Sequence, residues 1–237
     1  MTQSKAKIYS RLKVFLATTA TTLVGMLATT GVANAASITH TQSIDWRPTT
    51  VDKFFILPKF DEALGTLESV TIDLIGFVKG NARAESQEGA PSTVTLDLAS
   101  EIALILSEPD ITLVKVKPLV SEQVALDSYD GVLDFAGSSG VTLPERTASD
   151  STSNTFMSGD SELSYFLGSG DQELIFTALG TSTVTGAGNL LSGFETQVAG
   201  EVTLTYEYQS VPEPTSVIGL GLVGLGLLTQ TKRSKKI

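Results

Sequence analysis

The chain has 237 residues, 41% hydrophobic and 18% charged, with no cysteine. That composition fits one globular domain with short terminal segments, and the missing cysteines exclude disulfides, thiol nucleophiles and thiolate metal sites. Residues 37–210 carry 8 basic and 25 acidic side chains, a net of −17, which argues against nucleic acid as a partner because that affinity rests on Lys and Arg neutralising phosphates.

The first segment is basic, then apolar, then small. Lys5, Lys7, Arg11 and Lys13 have no acid among them, and Phe15, Leu16, Leu23, Val24, Met26 and Leu27 follow within residues 14–28. Ala33-Asn34-Ala35 then places small residues at the two positions a signal peptidase reads. The pattern predicts a signal peptide over residues 1–35, cut after Ala35. An uncleaved membrane helix is disfavoured, because the apolar run is short and is interrupted by Thr18, Thr19, Thr21 and Thr22.

Residues 37–210 read as strands. Val70, Ile72 and Leu74 alternate with Thr71 and Asp73, and Val94, Leu96 and Leu98 with Thr95 and Asp97. Ile102, Leu104 and Leu106 share one face, although Glu101–Ser107 also fits a short helix by composition. Leu174, Phe176 and Ala178 repeat the period, as do Val202, Leu204, Tyr206 and Tyr208. A period of two with Thr and β-branched enrichment is the half-buried strand signature. Turn residues bound the runs at Gly80-Asn81, Gly89-Ala90-Pro91, Glu108-Pro109-Asp110, Asp130-Gly131, Gly168-Ser169-Gly170 and Gly186-Ala187-Gly188-Asn189. Many strands without intervening helices predict an all-β fold, an antiparallel β-sandwich of jelly-roll-like type. Residues 138–161, rich in Ser, Thr, Asp and Gly, are expected to form a long exposed loop, and residues 206–216 a linker.

The stretch from Lys59 to Val70, with Phe60, Asp61, Leu64, Gly65, Thr66, Leu67 and Val70, resembles the start of the choice-of-anchor E domain. The resemblance implies one β-rich domain over residues 37–210 with an exchangeable C-terminal anchor, and no particular chemistry. On physical grounds Phe60, Leu64, Leu67 and Val70 are expected in the core, with Gly65 in a turn.

Catalytic constellations are absent from the sequence. The single histidine, His40, lies in a polar stretch and is expected at the surface. No second His or any Cys completes a zinc site, and no nucleophile elbow is present. Trp46, the only tryptophan, suits either packing or a carbohydrate surface. Asp127, Asp130 and Asp134 cluster around Gly131, a set of oxygens that suits Ca²⁺ or a solvated turn. No other cofactor is expected.

The last segment is tripartite. Pro212, Glu213 and Pro214 precede an apolar run within residues 215–230, and Lys232, Arg233, Lys235 and Lys236 close the chain. The basic cluster favours the cytoplasmic side of a membrane, and the apolar run is short for a stable span. Gly219, Gly221 and Gly224 match the spacing of a dinucleotide fingerprint, but the strand, helix and later acid that motif requires are missing. Residues 211–237 resemble the PEP-CTERM sorting signal. That resemblance implies a hydrophobic sorting helix, transient membrane attachment, processing by an exosortase-type enzyme and delivery to the cell surface or extracellular matrix of a bacterium that makes exopolysaccharide. The sequence therefore predicts a non-catalytic surface component, in adhesion or in an exopolysaccharide matrix. A carbohydrate-binding or carbohydrate-active module and a plain C-terminal membrane anchor are the alternatives.

Overall fold

The computed structural model describes residues 20–23 and 35–211. Among them, eleven strands form two antiparallel sheets, and no helix is long and apolar enough to cross a membrane. The strands are β1 (Ala20–Leu23), β2 (Ala35–Pro48), β3 (Val51–Pro58), β4 (Gly65–Ser86), β5 (Ser92–Leu106), β6 (Ile111–Val116), β7 (Leu119–Leu126), β8 (Gly140–Met157), β9 (Asp171–Gly180), β10 (Thr183–Thr185) and β11 (Leu190–Ser210). The first sheet runs β1-β2-β11-β4-β8. The second runs β10-β5-β9-β3, with β6 and β7 also paired to β5. Ala33, Pro212, Glu213, Pro214, the apolar run after them and the basic tail lie outside the described residues. Ala35 is the first residue of β2.

Alternation explains how the sheets meet. Val70, Ile72, Leu74 and Val78 of β4 and Val202, Leu204 and Tyr206 of β11 are buried on one inner face. Phe55, Leu57, Ile102, Leu104, Leu106, Leu174 and Phe176 are buried on the other, and all join one core cluster. A smaller cluster of Ala82, Ala84, Val94, Leu96 and Leu126 fills one end. Two glycines let side chains of the second sheet pack close against the backbone of the first. Gly200 pairs with Gly76 across β11 and β4, and a Cβ on Gly200 would lie 2.6 Å from Phe176 Cε2. Gly200 leaves a notch for the Phe176 ring, which also contacts Phe55 at 5.8 Å between centroids, while a Cβ on Gly76 would meet Val116 and Ile102.

Phe60 is buried as expected. Its ring contacts Tyr206 and Tyr208 at 5.9 and 5.0 Å between centroids. Its backbone is held by hydrogen bonds with Phe166 and Gly168, and the Tyr206 hydroxyl donates to the Pro58 carbonyl at 2.9 Å. Leu67 and Val70 are buried too, whereas Leu64 is 43% exposed. Leu64 ends a 3-10 turn, Glu62–Leu64, capped by Asp61, and the tightness of that turn directs its side chain outward.

Three further expectations are corrected. Residues 138–161 are mostly strand: β8 pairs with β4 from Ser69↔Met157 to Glu85↔Gly140. An outer strand with no fully buried side chain needs no apolar face, so its Ser/Thr-rich sequence concealed it. Gly80-Asn81 lies inside β4, where a Cβ on Gly80 would stand 1.7 Å from the Glu195 carbonyl oxygen. The glycine serves a close backbone approach instead of a turn. β11 continues to Ser210, beyond the expected start of a linker. The alternation of Ile102, Leu104 and Leu106 is that of a strand, as read from the sequence, and β5 is paired on both sides from Ile102 to Leu106; the short helix that composition also allowed does not form.

The outer face of the first sheet is polar. Thr39, Thr205, Thr71 and Thr155 form one row across β2, β11, β4 and β8. Their hydroxyls pair at 3.4 Å (Thr39–Thr205) and 2.9 Å (Thr71–Thr155), cross-strand contacts that stabilise neighbouring strands.

Candidate functional site

Two β-bulges flank an open groove of the first sheet. In β2, Asp45 and Trp46 together oppose Ala199, because Ile44 pairs with Gly200 and Arg47 with Val198. In β8, Pro144 and Glu145 together oppose Asn81, because Leu143 pairs with Ala82 and Arg146 with Gly80. A bulge re-aims the side chains beside it, and proline in a strand belongs at such an irregularity. Between the two bulges lies an open groove of about 540 Å³. It is lined by the β2–β3 corner at Pro48 and Thr49, by Lys79, Asn81 and Glu145, and by Ser182 and residues 194–197.

Trp46 borders this groove through Lys79. The Lys79 ammonium lies 4.7 Å from the centre of the Trp46 ring, a cation–π contact. Phe77 meets the same ring edge-on at 6.3 Å, and Trp46 remains 38% exposed. The groove floor is fixed by backbone: the Thr49 N–H donates to the Thr196 carbonyl at 3.1 Å. The groove offers one ammonium, two carboxylates (Glu145 and Glu195), two carboxamides (Asn81 and Gln197) and several hydroxyls.

A second feature is an ordered loop held by a buried acid. Glu85 is fully buried at the end of β4. Its carboxylate accepts hydrogen bonds from the Ser139 hydroxyl at 2.6 Å and the Phe135 N–H at 2.7 Å. Arg83 lies 4.7 Å from the centre of the Phe135 ring. Charge-assisted hydrogen bonds are the strong ones, so this clasp anchors the β7–β8 loop.

That loop contains Asp127, Asp130 and Asp134. The structure does not bring them together as a ligand set: among the described residues no group of three or more His, Cys, Asp or Glu side chains stands ready to hold a metal ion. Asp130 accepts from the Val132 N–H and Asp134 from the Ala136 N–H, each at 2.9 Å. Both carboxylates thus stabilise local turns.

His40, expected at the surface, is buried on the inner side of β2, with its ring 5.9 Å from that of Tyr206. Its Nδ1 and the Gln42 Nε2 have no hydrogen-bond partner among the described residues. Burial lowers the His40 pKa from its ordinary value of 6.5. The unfolded chain therefore binds more protons in that window. Stability is complete above the ordinary imidazole value and falls as the pH drops below it towards the lowered folded value. Thermal melting between about pH 7 and pH 5 should show this fall, and His40→Gln should flatten it. An unchanged slope in the variant would assign the pH dependence elsewhere. Burial also pushes the Tyr206 hydroxyl well above its ordinary pKa, so it stays a hydrogen-bond donor.

Sequence reasoning weighed Trp46 but missed Glu85 and Glu145. Pro144, a proline inside a strand, was the one available signal for the bulge at Glu145. Glu85 offered no signal, because strict alternation would place it on the outer face beside Arg83.

These features define an all-β domain with a polar groove on a bulged sheet. No protein-family model and no curated protein matches the chain. Among solved structures it is similar to infectious bursal disease virus of the Gx strain, at 9% identity over 80% of this chain and 42% of that one, with a TM-score of 0.17. It is also similar to the VP2 subviral particle of the same virus, at 12% identity over 84% of this chain and 49% of that one, with a TM-score of 0.14. The chain thus spans less than half the length of these two structures, and so slight a likeness carries no functional argument.

Proposed function

We propose that this protein is an exported, non-catalytic component of the cell surface or extracellular matrix, sorted through its C-terminal tail. The observation that carries this reading is the tail's layout: Pro212-Glu213-Pro214, a short glycine- and leucine-rich run, and the basic end at Lys232, Arg233, Lys235 and Lys236. The N-terminal basic, apolar and small-residue sequence supports export by the general signal-peptide route. Signal peptidase and an exosortase-type enzyme are the proposed processing partners, with membrane attachment only before processing.

The strand order supports a finer reading of the fold as a jelly roll. One sheet places β2-β11-β4-β8 side by side and the other β3-β9-β5 with β6 and β7, the connectivity of two interleaved Greek keys. That architecture serves coats and lectins alike, so it decides no function by itself.

Mass spectrometry of the mature protein tests the sorting. The expected N-terminus is Ala36, and the expected C-terminus lies upstream of Ile237. Substituting Glu213→Ala should leave the tail attached and the protein in the membrane fraction. A mature wild-type chain that retains Ile237 would overturn the processing step in favour of a plain anchor.

A further inference from the structure

We propose that the outer edge of β2 is a self-association surface: once residues 1–35 are removed, two copies of the chain pair antiparallel through residues 38–44 about a twofold axis at Thr41, joining their first sheets into one. β2 pairs with β11 along one side. Along the other side its partner, among the described residues, is β1, from Leu23↔Ile38 to Ala20↔Thr41. β1 lies inside the segment that reads as a signal peptide, and the inference rests on that cleavage. Loss of β1 leaves a row of backbone N–H and C=O groups open, which is a template for another strand. The pairing with β1 already places an antiparallel strand on this edge. Residues 38–44 include no Lys, Arg, Asp, Glu or Pro, the residues that commonly keep strand edges apart.

The side chains of β2 select a second copy as the occupant. His40 and Gln42 share its inner face and are 6% and 3% exposed. The His40 Nδ1 and the Gln42 Nε2 have no hydrogen-bond partner among the described residues, and a buried polar atom left unpaired is costly. The two atoms are complementary, because a neutral imidazole accepts at one ring nitrogen and a carboxamide N–H donates. In an antiparallel pair centred on Thr41, His40 faces the partner's Gln42 and Gln42 faces the partner's His40. On the same face Ile38, packed against the core, meets the partner's buried Ile44. On the polar face Thr39 meets the partner's Ser43. Thr41 meets the partner's Thr41, which continues the Thr41–Thr203 hydroxyl contact of 3.3 Å across the seam. Centring the pair on His40 instead sets Ile38 against Gln42, and centring it on Gln42 sets Ile44 against His40, so neither register matches the two orphaned atoms. A twofold contact uses the same patch on both copies, and this strand is complementary to itself in one register.

The chain has no cysteine, so one introduced thiol reads the register. Mass spectrometry first fixes the N-terminus of the purified secreted protein, expected at Ala36. Sedimentation of that protein at about 0.15 M salt, where repulsion between the acidic bodies is screened, should show a dimer that dissociates on dilution. Thr41→Cys should form a disulfide-linked dimer with oxidised glutathione, because directly opposed Cα atoms on antiparallel strands lie about 4.5–5.5 Å apart, within disulfide reach. Thr39→Cys should stay unlinked, since four residues of strand, about 13 Å, separate it from its counterpart. Thr39→Lys with Ser43→Lys should weaken the dimer roughly tenfold by opposing like charges at two symmetric places, and Thr39→Lys with Ser43→Glu should restore it. A chain that begins at Ala36 and stays monomeric at every concentration overturns the self-association alone. So does cross-linking through Thr39→Cys as readily as through Thr41→Cys, or a dimer indifferent to the paired lysines. A secreted chain that still carries residues 20–23 defeats the cleavage reading, and the open edge with it.

Discussion

Phe176→Ala should cost about 3–5 kcal/mol, the range for truncating a fully buried aromatic side chain in a core that cannot collapse around the loss. Phe176 is fully buried in β9. It packs against Phe55 on its own sheet and into the Gly200 notch of the other. The notch has no side chain to expand into the space, so the cavity should persist. A fall in melting temperature of roughly 10–15 °C is expected for a domain of this size. The reciprocal change, Gly200→Val, should also destabilise, because it drives a branched side chain into the same ring. A near-wild-type melting curve for Phe176→Ala would show that the sheets do not meet at this point.

Glu85→Ala should cost about 3 kcal/mol, because it leaves the buried Ser139 hydroxyl and the partly buried Phe135 N–H without their acceptor, at roughly 1–3 kcal/mol for a fully buried donor and less for a partly buried one. The effect should be local as well as global. The clasp anchors the β7–β8 loop, so its amides should exchange faster in the variant while those of β4 and β11 stay protected. Uniform acceleration would instead make Glu85 part of the global core. Glu85→Gln is the control: it keeps one acceptor oxygen and should recover part of the loss.

The strands on inner faces were legible from periodicity. Val70-Ile72-Leu74, Leu174-Phe176-Ala178 and Val202-Leu204-Tyr206 all alternate, and all are buried where alternation put them. The outer strand β8 was not legible, because its Ser, Thr and Asp side chains carry no apolar period. Gly80 was misread as a turn because a glycine needed for close backbone approach looks, in one dimension, like a glycine needed for a bend. Leu64 was misassigned because apolar character does not say which way a 3-10 turn points its side chain.

The candidate site was less legible still. Trp46 was noticed for its rarity alone. The groove residues Lys79, Glu145 and Glu195 come from three separate strands, and no spacing in sequence links them.

The sequence by itself determined the all-β class, the acidic character of the body and the burial of residues such as Phe60 and Val70. Those properties follow from local periodicity, charge and the burial of apolar side chains, which neighbouring residues encode. Only the tertiary structure decided that His40 is buried, that Glu85 clasps a loop, and that two bulges frame one groove. Each depends on strand register, and register is set by pairing between segments far apart in the chain.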